Sequence, residues 1–357
     1  MATGVMVREF FCPKQPFVKK HGEPQMNADM GNHEHEASIV QCLCDHYGIE
    51  GSLSRLPGDN INYLVTVDDE ERYVLKIVAA DMPSGLVAME YAAIEHAASN
   101  GFGLKLPQIV KNRHNKLNTG IYIRKNIHYT ALLYSFIDGN LLSNQSDISQ
   151  KLAKNVGNVI ALFDLSMENF DHPAAHRSHP WNLAEAGQHA RKIELIDDPE
   201  RHDLLAWAFR TWLSDAKPKL SVLPQQFIHG DAHDDNILVH AGRVTGLLDF
   251  GDSGFNPTIC ELATCLPYLM MGRDNPMEIA ASIVAGYHTT RPLSDAEFSV
   301  LMPLVCGRLA VTVSMAAERR QIDPSHPTWF VSEQGAWDLL AFFRTTGTGQ
   351  EGIKHLL

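Results

Sequence analysis

The sequence predicts an α+β fold in two parts, a small first part built on an antiparallel sheet with one main helix and a larger, mostly helical second part. Three observations carry this. Short apolar segments of period two, separated by turn residues, crowd the stretch from about 51 to 137. Segments of period 3.6 dominate from about 150 onward. The 357 residues, 45% hydrophobic, are enough to bury two cores.

Charge and cysteine usage narrow the classes. A net charge of −12 argues against a nucleic-acid partner, which wants a basic face, and steers weakly toward cationic or zwitterionic ligands. Six cysteines lie scattered without CxxC spacing; Cys42 and Cys44 sit two apart on a predicted helix and point away from each other. With no leader-type run near Met1 and no 18-residue apolar span, a reduced cytoplasmic protein with no membrane partner is expected. No repeats stand out.

In order, residues 1–30 read as an irregular tail, 31–137 as the first domain and 138–357 as the second. A helix begins at the N-cap Asn32, buries Ile39, Val40 and Leu43, and is closed by Gly48. Strands are expected near 51–56, 61–67 and 72–78, the first two joined by a loop (56–62) in which Gly58 is the one glycine. Lys76 lies among Val74, Leu75, Ile77 and Val78, so it either meets an anionic partner or points to solvent from an edge. The helical run 89–98 offers Glu90, or alternatively Glu95. Strands near 108–112 and 120–125 flank a polar turn, and 130–139 reads as a last strand ending at Asp138-Gly139.

The second part opens with a helix burying Leu152, Val156, Val159, Ile160 and Phe163. His179-Pro180-Trp181-Asn182 breaks the chain before further helices, one near 199–215. Ser253–Pro257 reads as a loop, followed by helices from 261, over 276–290, over 294–320 (capped by Ser294 and Glu297, kinked by Pro303) and over 331–344. From Thr345 the tail reads as loose.

Chemistry concentrates in 227–252. His229-Gly230-Asp231 is followed after four residues by Asn236; two strand-like runs, 237–239 and 244–248, then lead to Asp249-Phe250-Gly251. That order and spacing match a kinase catalytic loop and metal loop. Phosphoryl transfer asks protein mainly for positioning and charge neutralisation. Asp231 suits the carboxylate that meets the attacking hydroxyl, and Asn236 with Asp249 suit a hard cation, Mg²⁺, by returning through the hairpin to one place. A rival reading makes His229, Asp231, His233, Asp234 and Asp235 a hydrolase-type metal cluster. It leaves Asn236, a poor zinc ligand, and the Asp-Phe-Gly hairpin without a role, and His229 fits better as a hydrogen-bonding support. The kinase reading makes the fold protein-kinase-like and bilobal. Lys76 then grips the nucleotide phosphates, the 56–62 loop with Asn60 covers them, and the backbone from Ser135 to Ile137 meets the base. Arg308, among Val305, Cys306, Leu309 and Ala310, is a candidate for a substrate carboxylate, a structural ion pair being the equal alternative.

The HisGlyAsp form of the loop resembles the aminoglycoside phosphotransferase and choline kinase superfamily. Within it, the second half is similar to hydroxylysine kinase and to phosphotransferase domains fused to class III aminotransferases, through Trp181-Asn182-Leu183, residues 229–239, residues 246–252, Val284–Tyr287, Arg291–Ser294, Leu304–Arg308 and Ser314–Ala317. The resemblance spans roughly 35 to 345 and is strongest after Pro180. It implies ATP- or GTP-dependent phosphorylation of a hydroxyl on an amino acid or amino alcohol, 5-hydroxylysine first, with homoserine, choline or an aminoglycoside as alternatives. It favours Glu90 as the partner of Lys76 and gives Glu261 the task of bracing the catalytic loop, a plain first-turn carboxylate on the helix dipole being the alternative; the sequence leaves open whether a substrate amine meets Asp252, Glu318 or another residue. A partner aminotransferase or lyase would be a separate chain. A non-catalytic nucleotide-binding scaffold is the alternative from another class, although such proteins tend to lose the catalytic Asp, the metal Asp or the strand Lys, and all three are here.

Overall fold

The computed structural model describes residues 33–58, 60–68, 70–83, 85–123 and 127–347. The expected tail over 1–30, the N-cap Asn32 and the chain beyond 347 lie outside the described residues.

Five strands, β1 (Ser52–Leu56), β2 (Ile61–Thr66), β3 (Arg72–Ala79), β4 (Thr119–Tyr122) and β5 (His128–Ser135), form one antiparallel sheet in the order β1-β2-β3-β5-β4. Strand alternation divides its faces. Ile61, Tyr63 and Val65, Leu75 and Ile77, and Ala131 and Leu133 share one face and bury against Ile39 and Leu43, which belong to α1 (His33–Cys42) and the turn that follows it. Gly48 ends that turn at φ 73, the left-handed conformation that a helix stop requires. Val74, Val78, Leu132 and Tyr134 occupy the other face, toward α2 (Leu86–Ser99). Lys76 falls between Val74 and Val78 in the same alternation, so it projects from this face rather than into the first core.

Residues 108–112 do not form the expected strand. β4 covers β5 only from His128 to Ala131, and the 108–110 stretch takes up the remainder: Ser135 N–H donates to Gln108 O (2.9 Å) and Val110 N–H to Leu133 O (2.8 Å). β4 ends at Tyr122, short of the predicted 125, and residues 124–126 lie outside the described residues.

The second core gathers α3 (Gln150–Ser166), α4 (Pro199–Thr211), α5 (Ile259–Met270), α6 (Pro276–Thr290), α7 (Asp295–Arg320) and α8 (Glu333–Thr346). Met89, Ala93 and Ala97 of α2 pack into it, so α2 bridges the sheet and the helices. The Ser294/Glu297 capping box starts α7, which runs uninterrupted past Pro303. This helix corrects the expectation that no 18-residue apolar span exists: it contains one long and apolar enough to cross a membrane, and all of it is buried in protein. Three further corrections concern local geometry. After the Asn182 cap, residues Leu183–Leu195 wind as 3₁₀ turns; α4 gives way at Trp212–Ala216 to a π-turn; and Gly254–Pro257, read as loop, is a strand, β10, because Gln225–Ile228 (β7) lies antiparallel beside it. β8 (Ile237–His240) and β9 (Arg243–Leu247) form the expected hairpin, joined on its outer edge by β6 (Asn140–Leu141). The cysteines at 42, 44, 260, 265 and 306 are free.

Candidate active site

The hairpin turns on Ala241 (φ 48) and Gly242 (φ 72), successive left-handed residues that suit a tight turn between twisted strands. It returns the chain so that Leu248 N–H donates to Asn236 O at 2.8 Å. His229, fully buried, stitches the two ends: its Nε2 lies 2.9 Å from Leu248 O, and its Nδ1 accepts from Asp231 N–H at 3.3 Å. Both ring nitrogens are thus engaged with backbone, which removes His229 from the rival metal cluster. His233, Asp234 and Asp235 do offer one ligand atom each within 4.8 Å, but His233 Nδ1 faces Asp234 Oδ1 (3.4 Å) and its Nε2 faces Asp231 (3.4 Å).

Glu261, in the first turn of α5 and fully buried, accepts from Gly230 N–H at 3.1 Å through Oε2, behind the catalytic loop. Burial pushes its carboxyl up to about 7, against the lowering effect of the Gly230 and His229 amides. Gly230 holds φ 76, and a Cβ there would run into the Asp252 carbonyl, so neither the turn nor the close approach admits a side chain.

Asp231 is gripped from three sides. Arg308 Nη2 donates to Oδ1 at 2.9 Å, Asn236 Nδ2 donates to Oδ2 at 3.0 Å, and His233 Nε2 stands 3.4 Å from Oδ2. Burial alone would raise its pKa, but His233 and Arg308 outweigh that and hold it well below the usual carboxylate range. The same pairing raises His233 well above its ordinary value despite burial. Arg308 is 2% exposed, lies over the faces of Trp181 and Tyr268, and donates to Tyr268 Oη (3.2 Å) and Trp181 O (3.4 Å). The ion pair, one of the two roles open to it in the sequence, is present, and its partner is Asp231.

Lys76 crosses from β3 to Asp249, Nζ to Oδ1 at 2.8 Å. This corrects the pairing with Glu90. The Glu90 carboxylate, 7% exposed on α2, accepts instead from Tyr134 Oη at 3.1 Å, while Glu95 is exposed. Burial raises Glu90 to about 7 even with Lys76 nearby. Burial opposes the charge on Lys76, but Asp249 and then Glu90 more than offset it, and the ammonium stays protonated. Asp249 sits at φ 57, unusual for a residue with a side chain, and its Oδ1 also accepts from Gly251 N–H (3.1 Å).

A cavity of about 300 Å³ opens between these elements, and its wall includes Asn60, Lys76, Glu90, Asp231, Asp249 and Asp252. Ser135 and Ile137 do not contribute to that wall. Ser135 N–H and Oγ are both engaged with Gln108, and Phe136 N–H donates to Arg72 O (3.2 Å), pairings that sequence reasoning could not anticipate. Asp252 is 31% exposed; burial, then Asp231 and Asp249, push it up to about 7. Glu318, the other amine candidate, pairs with Lys192. Two residues escaped the sequence reading as site components. His233 carried a signal, its HisGlyAsp-x-His spacing, but only as a metal ligand. Arg177, whose Nη2 donates to Gly251 O (2.6 Å) and Ser253 O (3.4 Å) and so holds the metal loop, carried none.

The donor set fits a hard divalent cation. The Asn236 amide nitrogen is engaged by Asp231, leaving its Oδ1, and Asp249 uses Oδ1 for Lys76 and Gly251, leaving Oδ2; both are oxygen ligands of the kind Mg²⁺ prefers.

Comparison with known proteins gives a consistent picture. The model of a family described as "Phosphotransferase enzyme family" matches residues 52–298. The chain is 25% identical over 311 residues to hydroxylysine kinase of Mus musculus, covering 82% of this chain and 81% of that protein. It is 26% identical over 270 residues to homoserine kinase of Gluconobacter oxydans, covering 74% and 77%. Among solved structures, amicoumacin kinase in complex with AMP-PNP, Ca²⁺ and its ligand superposes with a TM-score of 0.66 at 15% identity, over 85% of this chain and 92% of that one.

Proposed function

Because the chain belongs to the phosphotransferase enzyme family, we propose that it is a kinase moving the γ-phosphoryl group of ATP, or of GTP, to a hydroxyl of a small amino acid or amino alcohol, 5-hydroxylysine first. The observation that carries this is the convergence of Lys76 on Asp249 at 2.8 Å beside an Asp231 fixed by Arg308 and Asn236, all around one cavity.

In this reading Asp231 accepts a hydrogen bond from the acceptor hydroxyl and aims its oxygen at the γ-phosphorus. As the new O–P bond forms and the β,γ-bridging P–O bond breaks, the hydroxyl proton passes to the Asp231 carboxylate, and the leaving electron pair stays on the nucleoside diphosphate. Since His233 and Arg308 keep Asp231 weakly basic, its first contribution is orientation, with proton transfer late. Lys76 neutralises phosphate charge from above, with Glu90 and Tyr134 fixing α2 behind it, and Asn60 lies where the 56–62 loop would cover the phosphates. Asn236 and Asp249 would hold Mg²⁺, which supplies neutralisation of the phosphate oxygens when bound. His229 and Glu261 support the loop from behind, and Asp252 meets the acceptor. In this reading residues 31–137 are the nucleotide-binding part and 138–357 the catalytic part; the sheet core lies within the former, while the helical core reaches across the boundary to Met89, Ala93 and Ala97 of α2.

Homoserine is the second acceptor, favoured by the relative at 26% identity. A coupled ADP- or GDP-release screen over hydroxylated amino acids, amino alcohols and aminoglycosides tests the reading. Turnover with 5-hydroxylysine is expected, and absence of turnover with every acceptor, in protein whose melting point rises with Mg²⁺-ATP, would leave only the scaffold.

A further inference from the structure

His179 is 8% exposed, and neither of its ring nitrogens has a hydrogen-bond partner among the described residues. A neutral imidazole carries one donor and one acceptor, so leaving both unmet in a buried place is costly unless something else supplies a partner. Its position suggests what that is. Nδ1 stands 3.5 Å from Asp252 Oδ1, and Asp252 is the residue shared between the main cleft and a small recess lined by His179, Trp181 and Gly230. No hydrogen bond to the Asp252 side chain is made by the described residues. The neighbouring guanidiniums point their terminal nitrogens elsewhere, Arg177 Nη2 to the carbonyls of Gly251 and Ser253, with its Nε unpartnered among the described residues, and Arg308 to Asp231 and Trp181, with its Nε on Tyr268. An unmet carboxylate thus faces an unmet imidazole, beside the carboxylate assigned to the acceptor hydroxyl, and neither side chain accepts a hydrogen bond from the described residues.

We propose that His179 and Asp252 together form the subsite for a positively charged primary amine of the acceptor, and that His179 determines specificity for it. The inference rests on the kinase reading for the place of the hydroxyl and deepens it. Asp252, pushed up to about 7 by burial and its neighbouring carboxylates, supplies the opposing charge once an ammonium beside it favours the ionised form. His179 supplies a neutral hydrogen-bonding group that burial, with Arg177 and Arg308, keeps uncharged, its pKa lowered to about 4, so that it adds no repulsion toward a cation at neutral pH. Acceptors lacking an ammonium near the hydroxyl would leave the buried His179 and the half-buried Asp252 unpaired, and a site built to hydrogen-bond a substrate group rejects analogues without it strongly.

The test uses the full chain with Mg²⁺-ATP and matched acceptors: 5-hydroxylysine, its Nα-acetyl and Nε-acetyl derivatives, and homoserine. KM and kcat are read separately, and calorimetry with Mg²⁺-AMP-PNP present reads binding without turnover. Acetylation of one of the two amines is expected to raise the wild-type KM or Kd roughly tenfold to a hundredfold. His179→Ala should raise KM for the free amine to a similar extent, with kcat less affected, and should leave the acetylated acceptor unchanged. His179→Gln, which keeps polar atoms in place, should recover part of the loss, and Asp252→Asn should match the alanine variant. An unchanged Mg²⁺-ATP melting shift in each variant reports an intact fold. The proposal is overturned if acetylation changes nothing, if no primary amine binds the wild type, or if His179→Ala lowers kcat equally for every acceptor or alters metal dependence instead. Acceptor-free ATP hydrolysis and the nucleotide melting shift, measured in the same preparation, report on the kinase reading independently.

Discussion

At the scale of single residues, the site is a set of buried charges that hold one another. Replacing Asp231 by Asn keeps the shape and the contacts available to Asn236 while removing the negative charge. Asp231→Asn should lower kcat by about 10²–10⁴-fold with the melting shift on Mg²⁺-nucleotide retained; normal turnover would remove Asp231 as the base. Arg308 tunes that carboxylate. Its guanidinium helps hold the Asp231 carboxyl down, so Arg308→Met should let that pKa rise and move the acid limb of the kcat–pH profile upward, with lower kcat throughout. A profile unmoved on the acid side would mean that Arg308 does not set the ionisation of Asp231. Asp231, Asn236 and Asp249 were legible because the order loop, hairpin, Asp-Phe-Gly is local in sequence. The grip of Arg308 on Asp231 was not, since 77 residues separate the two and no periodicity reports a contact at that distance. For the same reason the lysine partner was misread: Glu90 is close in sequence, whereas Asp249 lies 173 residues away.

Among elements, α3 and α6 cross in backbone contact. A Cβ on Gly157 would fall inside the Ile283 backbone, and one on Gly286 inside that of Lys154, so the two helices meet main chain to main chain. Gly157→Ala should therefore cost about 1–3 kcal/mol of stability through overpacking, seen as a lowered melting temperature without a change in helix content; an unchanged melting point would show that the helices can separate freely. The start of α5 offers a second handle. Glu261 has a folded pKa near 7, above its unfolded value, so the folded chain binds the extra proton and stability falls as pH rises from the ordinary carboxylate range toward 7. Glu261→Gln cannot ionise and can still accept from Gly230, so melting temperatures measured between about pH 5 and 8 should slope less steeply than in the wild type; equal slopes would assign the pH dependence to other groups. Helices with a clean 3.6-residue stripe, such as α3 and α6, were readable from sequence. The β7/β10 pair was not, because a four-residue strand is identified only by its distant partner.

Over the whole molecule, sequence gave the two kinds of core and the order of elements, and it missed how they are tied together. α2 contributes Val87 to the sheet side and Met89, Ala93 and Ala97 to the helical core, so one short helix couples the lysine strand to the helical mass. The sequence reading likewise missed the long apolar segment, because Arg308 interrupts the middle of α7; packing, which sequence does not state, is what keeps that stretch dry.

The contact between Lys76 and Asp249 also bears on how a nucleotide arrives. With ammonium and carboxylate already compensating each other, the entrance presents little attraction to an incoming polyanion, and the rest of the chain, at net −12, repels it. Encounter then runs against the long-range field, and counterions should ease it. The association rate constant of a fluorescent ATP analogue with Mg²⁺, followed by stopped flow, should rise as NaCl goes from about 20 to 200 mM. Slower capture at higher ionic strength would instead mean that a patch of positive potential guides the ligand inward.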